Sequence, residues 1–154
     1  MEQLFFITWA THNSRYSQRM FRLKIECNPP ILFNNEHEVF IIQLILELAK
    51  ERKYDIQAIN ICKDHVHMLI KCNFYNIRLI MKYLKGRTAY EFVKKFGEMY
   101  EGDKKVWSRG YNYVRVQDIE AELAYFSYTK NNRNKHNLEP NPQLESVLSK
   151  IYDS

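Results

Sequence analysis

The sequence predicts an α+β fold in which an antiparallel sheet has helices packed on it. The spacing of apolar residues alternates between strand and helix periods, in the order β, α, β, β, α, β, α. Two predicted strands are separated only by Lys63 and Asp64, which is typical of a hairpin. The 154 residues, 45% of them hydrophobic, suffice for a substantial core. We therefore predict one domain over residues 1–154, with a polar tail from about residue 138.

The first part of the chain predicts a strand and a helix joined by a polar segment. Leu4–Ala10 is rich in aromatic and β-branched residues and predicts the first strand. Residues 11–30 are polar and irregular and predict a loop. The apolar run Val39–Lys50 predicts the first helix, and Asn35 with Glu38 forms a capping-box pattern at its start.

The middle of the chain predicts the hairpin and more helix. Ile56–Cys62 and His65–Cys72 are its two strands. Gly86 then interrupts a run of apolar residues at helical spacing, and Thr88 with Glu91 offers a second capping box. The segment up to Gly97 is therefore either one kinked helix or two. The apolar residues of the run are Ile77, Ile80, Met81, Leu84, Ala89, Phe92, Val93 and Phe96.

The last part predicts a strand and a capped helix. Val106–Val116 alternates and predicts the final strand. Asp118 can cap a helix that runs from Ile119 to about Asn132. Apolar residues at helical spacing predict the face of this helix that meets the core, namely Ile119, Leu123 and Phe126. A short helix, Leu144–Ile151, is predicted in the tail.

Positive charge is concentrated in one part of the chain. The net charge is +5, whereas residues 76–115 alone hold ten Lys or Arg against four Asp or Glu. The same stretch contains several aromatic residues, Tyr83, Tyr90, Trp107, Tyr111 and Tyr113. Cations interleaved with aromatic rings suit single-stranded nucleic acid, because phosphates meet charge and bases stack on rings. The alternative is a solvated helix face beside aromatic residues of the core.

Cysteine usage and hydropathy indicate the compartment. The three cysteines, Cys27, Cys62 and Cys72, form no CxxC pair and predict reduced thiols in a cytoplasmic protein. No apolar run approaches the roughly 20 residues of a membrane span, so we expect no membrane association. The N-terminus also has no signal-peptide pattern.

The segment His65–His67 is the first candidate for chemistry. Alternate residues of a strand share a face, so His65 and His67 point to the side opposite Val66 and Met68. Two imidazoles in this arrangement, about 7 Å apart at Cβ, suit chelation of one divalent ion. The alternative is a pair of half-exposed histidines with no role.

Tyr128 and Asn132 are the second candidate, one turn apart on one face of the predicted last helix. A tyrosine hydroxyl can attack phosphorus and form a covalent phosphotyrosine. An amide oxygen can be a neutral ligand of a hard cation. The alternative is a surface tyrosine, one of eleven in the chain, and an asparagine that ends a helix.

Four segments together resemble motifs of HUH-class single-tyrosine transposases of insertion sequences and their REP-associated relatives. Asp64–Ile70 resembles the motif in which two histidines flank a hydrophobic residue. Leu84–Thr88 resembles the helix segment that follows, and Val106–Tyr111 is similar to a Trp-Ser-x-Gly-Tyr segment. Tyr128–Asn132 resembles the helix that carries the catalytic tyrosine. The motifs follow in order, and the resemblance extends from about residue 4 to 137.

Two adjacent positions depart from the patterns of these families. Insertion-sequence members usually have Gln four residues after the tyrosine, where this chain has Asn132. The REP-associated relatives have Asn there, usually followed by Pro, whereas Arg133 follows here.

The resemblance implies a ferredoxin-like or RRM-like HUH nuclease fold and an enzyme that cleaves and rejoins single-stranded DNA. Tyr128 would form a 5′-phosphotyrosine, and His65, His67 and Asn132 would bind Mg²⁺ or Mn²⁺. The expected partners are DNA with hairpin ends and a second copy in a homodimer, in the cytoplasm at the nucleoid of a prokaryote. Candidate phosphate contacts are Arg15, Lys85, Arg87, Arg109 and Arg115.

Two other functions remain open at this point. One is a non-catalytic or domesticated protein that binds single-stranded nucleic acid. The other is an RNA-processing or phosphatase-like enzyme that uses His65 and His67 without a covalent intermediate.

Overall fold

A four-stranded antiparallel sheet forms the centre of the molecule. The structure, a computed structural model, describes residues 1–12, 31–100 and 105–152. The strands are β1 (Glu2–Ala10), β2 (Asp55–Cys62), β3 (His65–Asn73) and β4 (Asn112–Arg115), in the spatial order β2-β3-β1-β4. Each neighbouring pair is antiparallel, and β2 and β3 form the predicted hairpin. The prediction of an α+β fold with an antiparallel sheet is confirmed.

Five helices accompany the sheet in the described residues. They are α1 (Asn35–Arg52), α2 (Ile77–Phe96), α3 (Ile119–Lys130), α4 (Asn132–Lys135) and α5 (Pro142–Tyr152). None of them is both long and apolar enough to cross a bilayer.

The main core lies between one face of the sheet and helices α1 and α2. Alternate residues of β3, Val66, Met68, Ile70 and Cys72, face this core, as the strand pattern predicts. Apolar residues of both helices pack against them, and Leu144 and Leu148 of α5 join the same cluster.

The other face of the sheet is partly covered by α3 and α4. Asn60 and His67 on this face are buried, and α3 contacts both strands of the hairpin. The sheet therefore has helices on both sides, and the histidine face lies under a helix that follows late in the chain.

Helix α2 is a single helix, which decides between the two predicted alternatives. It continues through Gly86, and Thr88 lies in its interior rather than at a cap. The Thr88 hydroxyl donates to the Leu84 carbonyl at 2.7 Å and accepts from the Trp107 indole at 2.8 Å. The second predicted capping box is therefore wrong, because this hydroxyl is used to bury Trp107.

The capping box of α1 is displaced by one residue from the predicted pair. Asn34 accepts from the backbone of His37, and the Asn34 backbone donates to the ring of His37. The predicted partner Glu38 is instead buried. The last strand is also shorter than predicted, since only Asn112–Arg115 pairs regularly with β1.

Helix α3 differs most from the prediction. Ile119 and Leu123 are 75% and 65% exposed, so the predicted core face is wrong at these two positions. The third predicted residue, Phe126, is half-buried and contacts the ring of Tyr152 at 5.6 Å. Tyr125 and Tyr128 meet the sheet instead, through contacts with Phe6. The helix ends at Lys130, and Asn132 begins α4, so Tyr128 and Asn132 belong to two different helices.

Candidate active site

Two histidine rings lie side by side on β3. The ring centroids of His65 and His67 are 4.7 Å apart, on the face opposite the main core. The Nδ1 atom of His65 lies 2.7 Å from a carboxylate oxygen of Asp64, and that of His67 lies 2.9 Å from the hydroxyl of Thr8. Thr8 is the residue of β1 directly paired with His67.

These hydrogen bonds give the pair the arrangement of metal ligands. A ligating histidine commonly donates its second ring N–H to a carboxylate or another oxygen, which fixes the tautomer and orients the ring. Asp64 and Thr8 can each accept from Nδ1, so that Nε2 is the ring nitrogen suited to a metal on both His65 and His67. The sequence pattern alone does not reveal Thr8, because its role depends on strand register.

Tyr128 lies against this pair within the same chain. Its ring centroid is 5.3 Å from that of His67, with the planes nearly perpendicular at 78°. Phe6 of β1 stacks on His67 and meets the edge of Tyr128 at 6.0 Å. Tyr125, the other tyrosine on this side of α3, stacks on Phe6 at 4.6 Å. Among the tyrosines that the structure describes, Tyr128 is therefore the one with a direct ring contact to a histidine of the pair.

Asn132 is fully buried at the start of α4. Neither its amide oxygen nor its amide nitrogen has a hydrogen-bond partner among the described residues. A buried amide without partners is costly, roughly 1–3 kcal/mol, which favours a missing partner such as an ion. No group of three His, Cys, Asp or Glu residues in the described part of the chain could hold a metal. Two imidazoles and an amide oxygen are the kinds of donor that suit a divalent ion, so His65, His67 and Asn132 are the residues that could hold one.

Asn60 joins the histidine strand to the tyrosine helix. It is paired directly with His67 across β2 and β3. Its buried amide donates to the carbonyls of Thr129 at 2.9 Å and Lys130 at 3.3 Å. These are carbonyls at the end of α3, which lack partners within the helix. Asn60 therefore holds the C-terminal turn of α3, and Tyr128 with it, over the sheet.

A buried ion pair anchors α4 from the other side. Arg133 donates to a carboxylate oxygen of Glu38 at 2.6 Å, with side-chain exposures of only 10% and 1%. It also donates to the carbonyl of Glu139 at 2.7 Å, while Asn141 donates to Glu38 at 3.0 Å. Burial raises the pKa of Glu38, and its hydrogen bonds with Asn141 and Arg133 oppose that change. Arg133, which stands where the REP-associated relatives usually have Pro, thus links α4 to α1.

Lys135, the last residue of α4, and His136, which follows it, also lie at the site. The sequence pattern did not indicate either of them. The Nζ atom of Lys135 lies 4.3 Å from the ring centroid of Tyr128. The ring of His136 lies 5.4 Å from that of His65. Their positions depend on the break between α3 and α4, whereas a continuous helix to Asn132 was predicted.

The candidate phosphate contacts have different environments. Lys85 donates to the carbonyls of Ser108 at 2.9 Å and Gly110 at 2.6 Å, so its ammonium holds the loop before β4. Burial lowers the pKa of Lys85. Arg87 is exposed and pairs with Glu91 at 3.4 Å, and Arg109 and Arg115 are exposed. The predicted contact Arg15 lies outside the described residues.

The aromatic residues of the basic segment divide into core and surface. Trp107 is buried in the core, whereas Tyr113 is 47% exposed on β4. Tyr111 lies between the two in exposure and contacts Tyr113 at 6.2 Å. Tyr111 and Tyr113 are therefore accessible for stacking on bases, whereas Trp107 is not.

The described cysteines are buried free thiols. Burial raises the pKa of Cys62 to about 12 and that of Cys72 to about 11, so both remain protonated near neutral pH. The third cysteine, Cys27, lies outside the described residues.

Comparison with known families decides which kind of protein carries this site. The model of the IS200-like transposases matches residues 20–132, which include both histidines, Tyr128 and Asn132. The chain belongs to the IS200-like transposase family. It is therefore a transposase, and DNA binding, recombination and transposition are the processes of its family. No curated protein matches it.

Solved structures with the same fold include two transposase chains. One is a REP-associated tyrosine transposase bound to a REP hairpin, with 16% identity and a TM-score of 0.52, covering 87% of this chain and 68% of that one. The other is a candidate transposase from Deinococcus radiodurans R1, with 16% identity and a TM-score of 0.51, covering 85% of this chain and 91% of that one. This IS200-like transposase thus shares their fold.

Proposed function

We propose that this transposase cleaves and rejoins single-stranded DNA through a covalent 5′-phosphotyrosine on Tyr128. The observation that carries the proposal is the contact between Tyr128 and His67, 5.3 Å between ring centroids, within one chain. Transfer of a phosphoryl group to tyrosine requires a nucleophilic hydroxyl close to groups that can bind a divalent ion, and Tyr128 lies beside two histidines that are suited to this.

The proposed cleavage of DNA by Tyr128 needs no external energy source. A lone pair of the Tyr128 hydroxyl oxygen forms the bond to phosphorus, and the phenolic proton passes to solvent. The bond from phosphorus to the 3′ oxygen breaks, and its electron pair leaves with that oxygen, which takes up a proton. The phosphotyrosine retains a phosphodiester bond, so attack by another 3′ hydroxyl reverses the step and joins new ends. No nucleoside triphosphate is consumed.

His65, His67 and Asn132 would hold the divalent ion, with Mg²⁺ or Mn²⁺ as the proposed ion. When bound, it supplies positive charge that polarises the scissile phosphate. Asp64 and Thr8 orient the two rings from behind. Phe6 and His67 confine the Tyr128 ring, which restricts the directions from which its hydroxyl can meet a phosphate.

The proposed substrate is DNA whose ends form hairpins, acted on at the nucleoid in the cytoplasm of a prokaryote. The REP-hairpin complex of the structural neighbour supports this choice. Exposed Arg87, Arg109 and Arg115, and the surface tyrosines of the basic segment, are the proposed contacts with phosphates and bases. We also propose a homodimer, because Ile119 and Leu123 present an exposed apolar pair on α3.

The experiment is covalent capture of labelled DNA. Single-stranded hairpin DNA labelled 3′ of the cleavage site, incubated with the protein and Mg²⁺, should give a labelled protein band on a denaturing gel. Tyr128→Phe and His65→Ala should each abolish the band, with Tyr125→Phe as the matched control that retains it. A band that persists in Tyr128→Phe would assign the nucleophile to another residue.

The same experiment separates the alternative functions. A non-catalytic binder would shift the DNA equally well after Tyr128→Phe or in EDTA and would give no band. A phosphatase-like or RNA-processing enzyme would release cleaved product with no protein-linked intermediate.

A further inference from the structure

Lys135 occupies a distinctive position in the candidate site. It is the last residue of α4, and its Nζ lies 4.3 Å from the centre of the Tyr128 ring. The break at Asn131, with φ −102° and ψ 15°, separates α3 from α4 and precedes this contact. The side chain is exposed to solvent.

The chain offers an internal comparison for this contact. Lys130, at the end of α3, places its Nζ 5.7 Å from the ring centre of Tyr152. Both lysines are exposed, and both approach a tyrosine ring. The ring of Tyr152, however, belongs to α5 and its hydroxyl donates to the Ile59 carbonyl, whereas Tyr128 contacts His67. An ordinary surface contact between a cation and a ring explains Lys130 fully.

Charge development at the site gives Lys135 a task that Lys130 does not have. When the Tyr128 oxygen attacks, negative charge grows on the non-bridging oxygens of the phosphate. When the phosphotyrosine is resolved, negative charge grows on the departing phenolic oxygen. An ammonium beside the phenol ring would stabilise both distributions, because forward and reverse reactions share one transition state.

We propose that Lys135 is a catalytic residue that contacts the scissile phosphate and the phenolic oxygen during cleavage and rejoining. This inference rests on the proposed function. Lys135 acts through its positive charge, and no proton is transferred to or from it in either step. The bonds formed and broken are those between phosphorus and the Tyr128 oxygen and between phosphorus and the 3′ oxygen.

The test compares Lys135→Met with the matched control Lys130→Met in the full chain. Adduct formation on hairpin DNA is followed under single-turnover conditions at saturating protein. Lys135→Met should lower the rate constant about 10- to 100-fold, less than the roughly 100-fold or more that losing a buried transition-state donor commonly costs, because Lys135 is exposed and solvent screens its charge. Lys130→Met should remain within about twofold of wild type, because its lysine touches no reacting atom. Lys135→Arg should recover part of the lost rate.

Two further measurements separate catalysis from binding. The dissociation constant for the hairpin should rise only slightly and equally in both methionine variants, because each removes one surface charge. Rejoining should be followed with isolated wild-type and Lys135→Met adducts and added DNA that has a 3′ hydroxyl. It should slow by a factor similar to that for cleavage.

The outcomes distinguish this inference from the proposed function. If wild type forms an adduct that Tyr128→Phe abolishes, and Lys135→Met reacts as fast as Lys130→Met, the inference is overturned and the proposed function stands. A Lys135→Met defect that disappears at saturating protein also overturns it, since Lys135 would then only bind DNA. If wild type forms no adduct, both proposals fall.

Discussion

At the scale of single residues, the hydrogen-bond partners of His65 and His67 give more information about the site than the presence of two histidines. The HxH pattern alone is compatible with two unused histidines. The contacts of His65 with Asp64 and of His67 with Thr8 orient both Nε2 atoms for ligation. Strand alternation correctly predicts that the histidines face away from the main core. It cannot predict Thr8, which is 59 residues away and meets His67 through strand register.

Asn132 gives the sharpest test of the proposed metal site. Its buried amide has no partner among the described residues, so Asn132→Ala should leave the free energy of unfolding within about 1 kcal/mol of wild type or raise it. The Mg²⁺ concentration for half-maximal adduct formation should rise about 10-fold or more, because the proposed site would lose one ligand. Urea unfolding and a metal titration of the cleavage rate measure the two effects.

Asn131→Ala is the control, because Asn131 is exposed and adjacent in the chain. It should change neither the metal requirement nor the stability by a comparable amount. An Asn132→Ala protein that is strongly destabilised but has an unchanged metal requirement would show that the asparagine is structural.

At the scale of elements, polar contacts hold the tyrosine helix and the adjoining α4. Asn60 binds the last carbonyls of α3, while Arg133 and Glu38 link α4 to α1. The capped start of α3 at Asp118 was predictable, because the cap is local in sequence. The end of α3 and its buried face were not, because they depend on Asn60 and on aromatic contacts with Phe6. Ile119 and Leu123 have the helical spacing of a core face but remain exposed.

The buried pair predicts a characteristic pattern of stability. Glu38→Met should lower the free energy of unfolding by about 3–5 kcal/mol, because Arg133 is left buried without its carboxylate. The double variant Glu38→Met with Arg133→Met should recover much of that loss, since no unpaired charge remains. Chemical denaturation of the three proteins measures these differences.

Glu91→Met is the matched control, because it removes the carboxylate of the exposed pair with Arg87. It should cost less than about 1 kcal/mol. Equal losses in Glu38→Met and in the double variant would contradict the role assigned to the pair.

At the scale of the whole molecule, one chain brings the histidines and the tyrosine together. The fold class and the order of elements followed from periodicity, because strand and helix spacings are properties of short segments. The meeting of Tyr128 with His67 needs the sheet order β2-β3-β1-β4 and the packing of α3 on it, which are long-range. From the sequence, only the resemblance of four ordered motifs to a known family predicts that Tyr128 and the two histidines share one site.

The exposed face of α3 predicts how two copies associate. Leu123→Glu should shift a dimer toward monomer in sedimentation equilibrium, because a charge would be buried at the interface. Adduct formation per chain should be retained, since Tyr128 contacts His67 of its own chain. Glu122→Gln, an exposed neighbour on α3, is the control. A monomeric wild type, or a Leu123→Glu dimer, would rule out this surface as the interface.

The most direct test of the account is identification of the residue joined to DNA. Wild-type protein is incubated with hairpin DNA and Mg²⁺, digested with protease and nuclease, and analysed by mass spectrometry. We expect a nucleotide remnant attached through its 5′ phosphate to the peptide that contains Tyr128, and none in EDTA. Attachment at another residue, or cleaved DNA with no attached peptide, would contradict it.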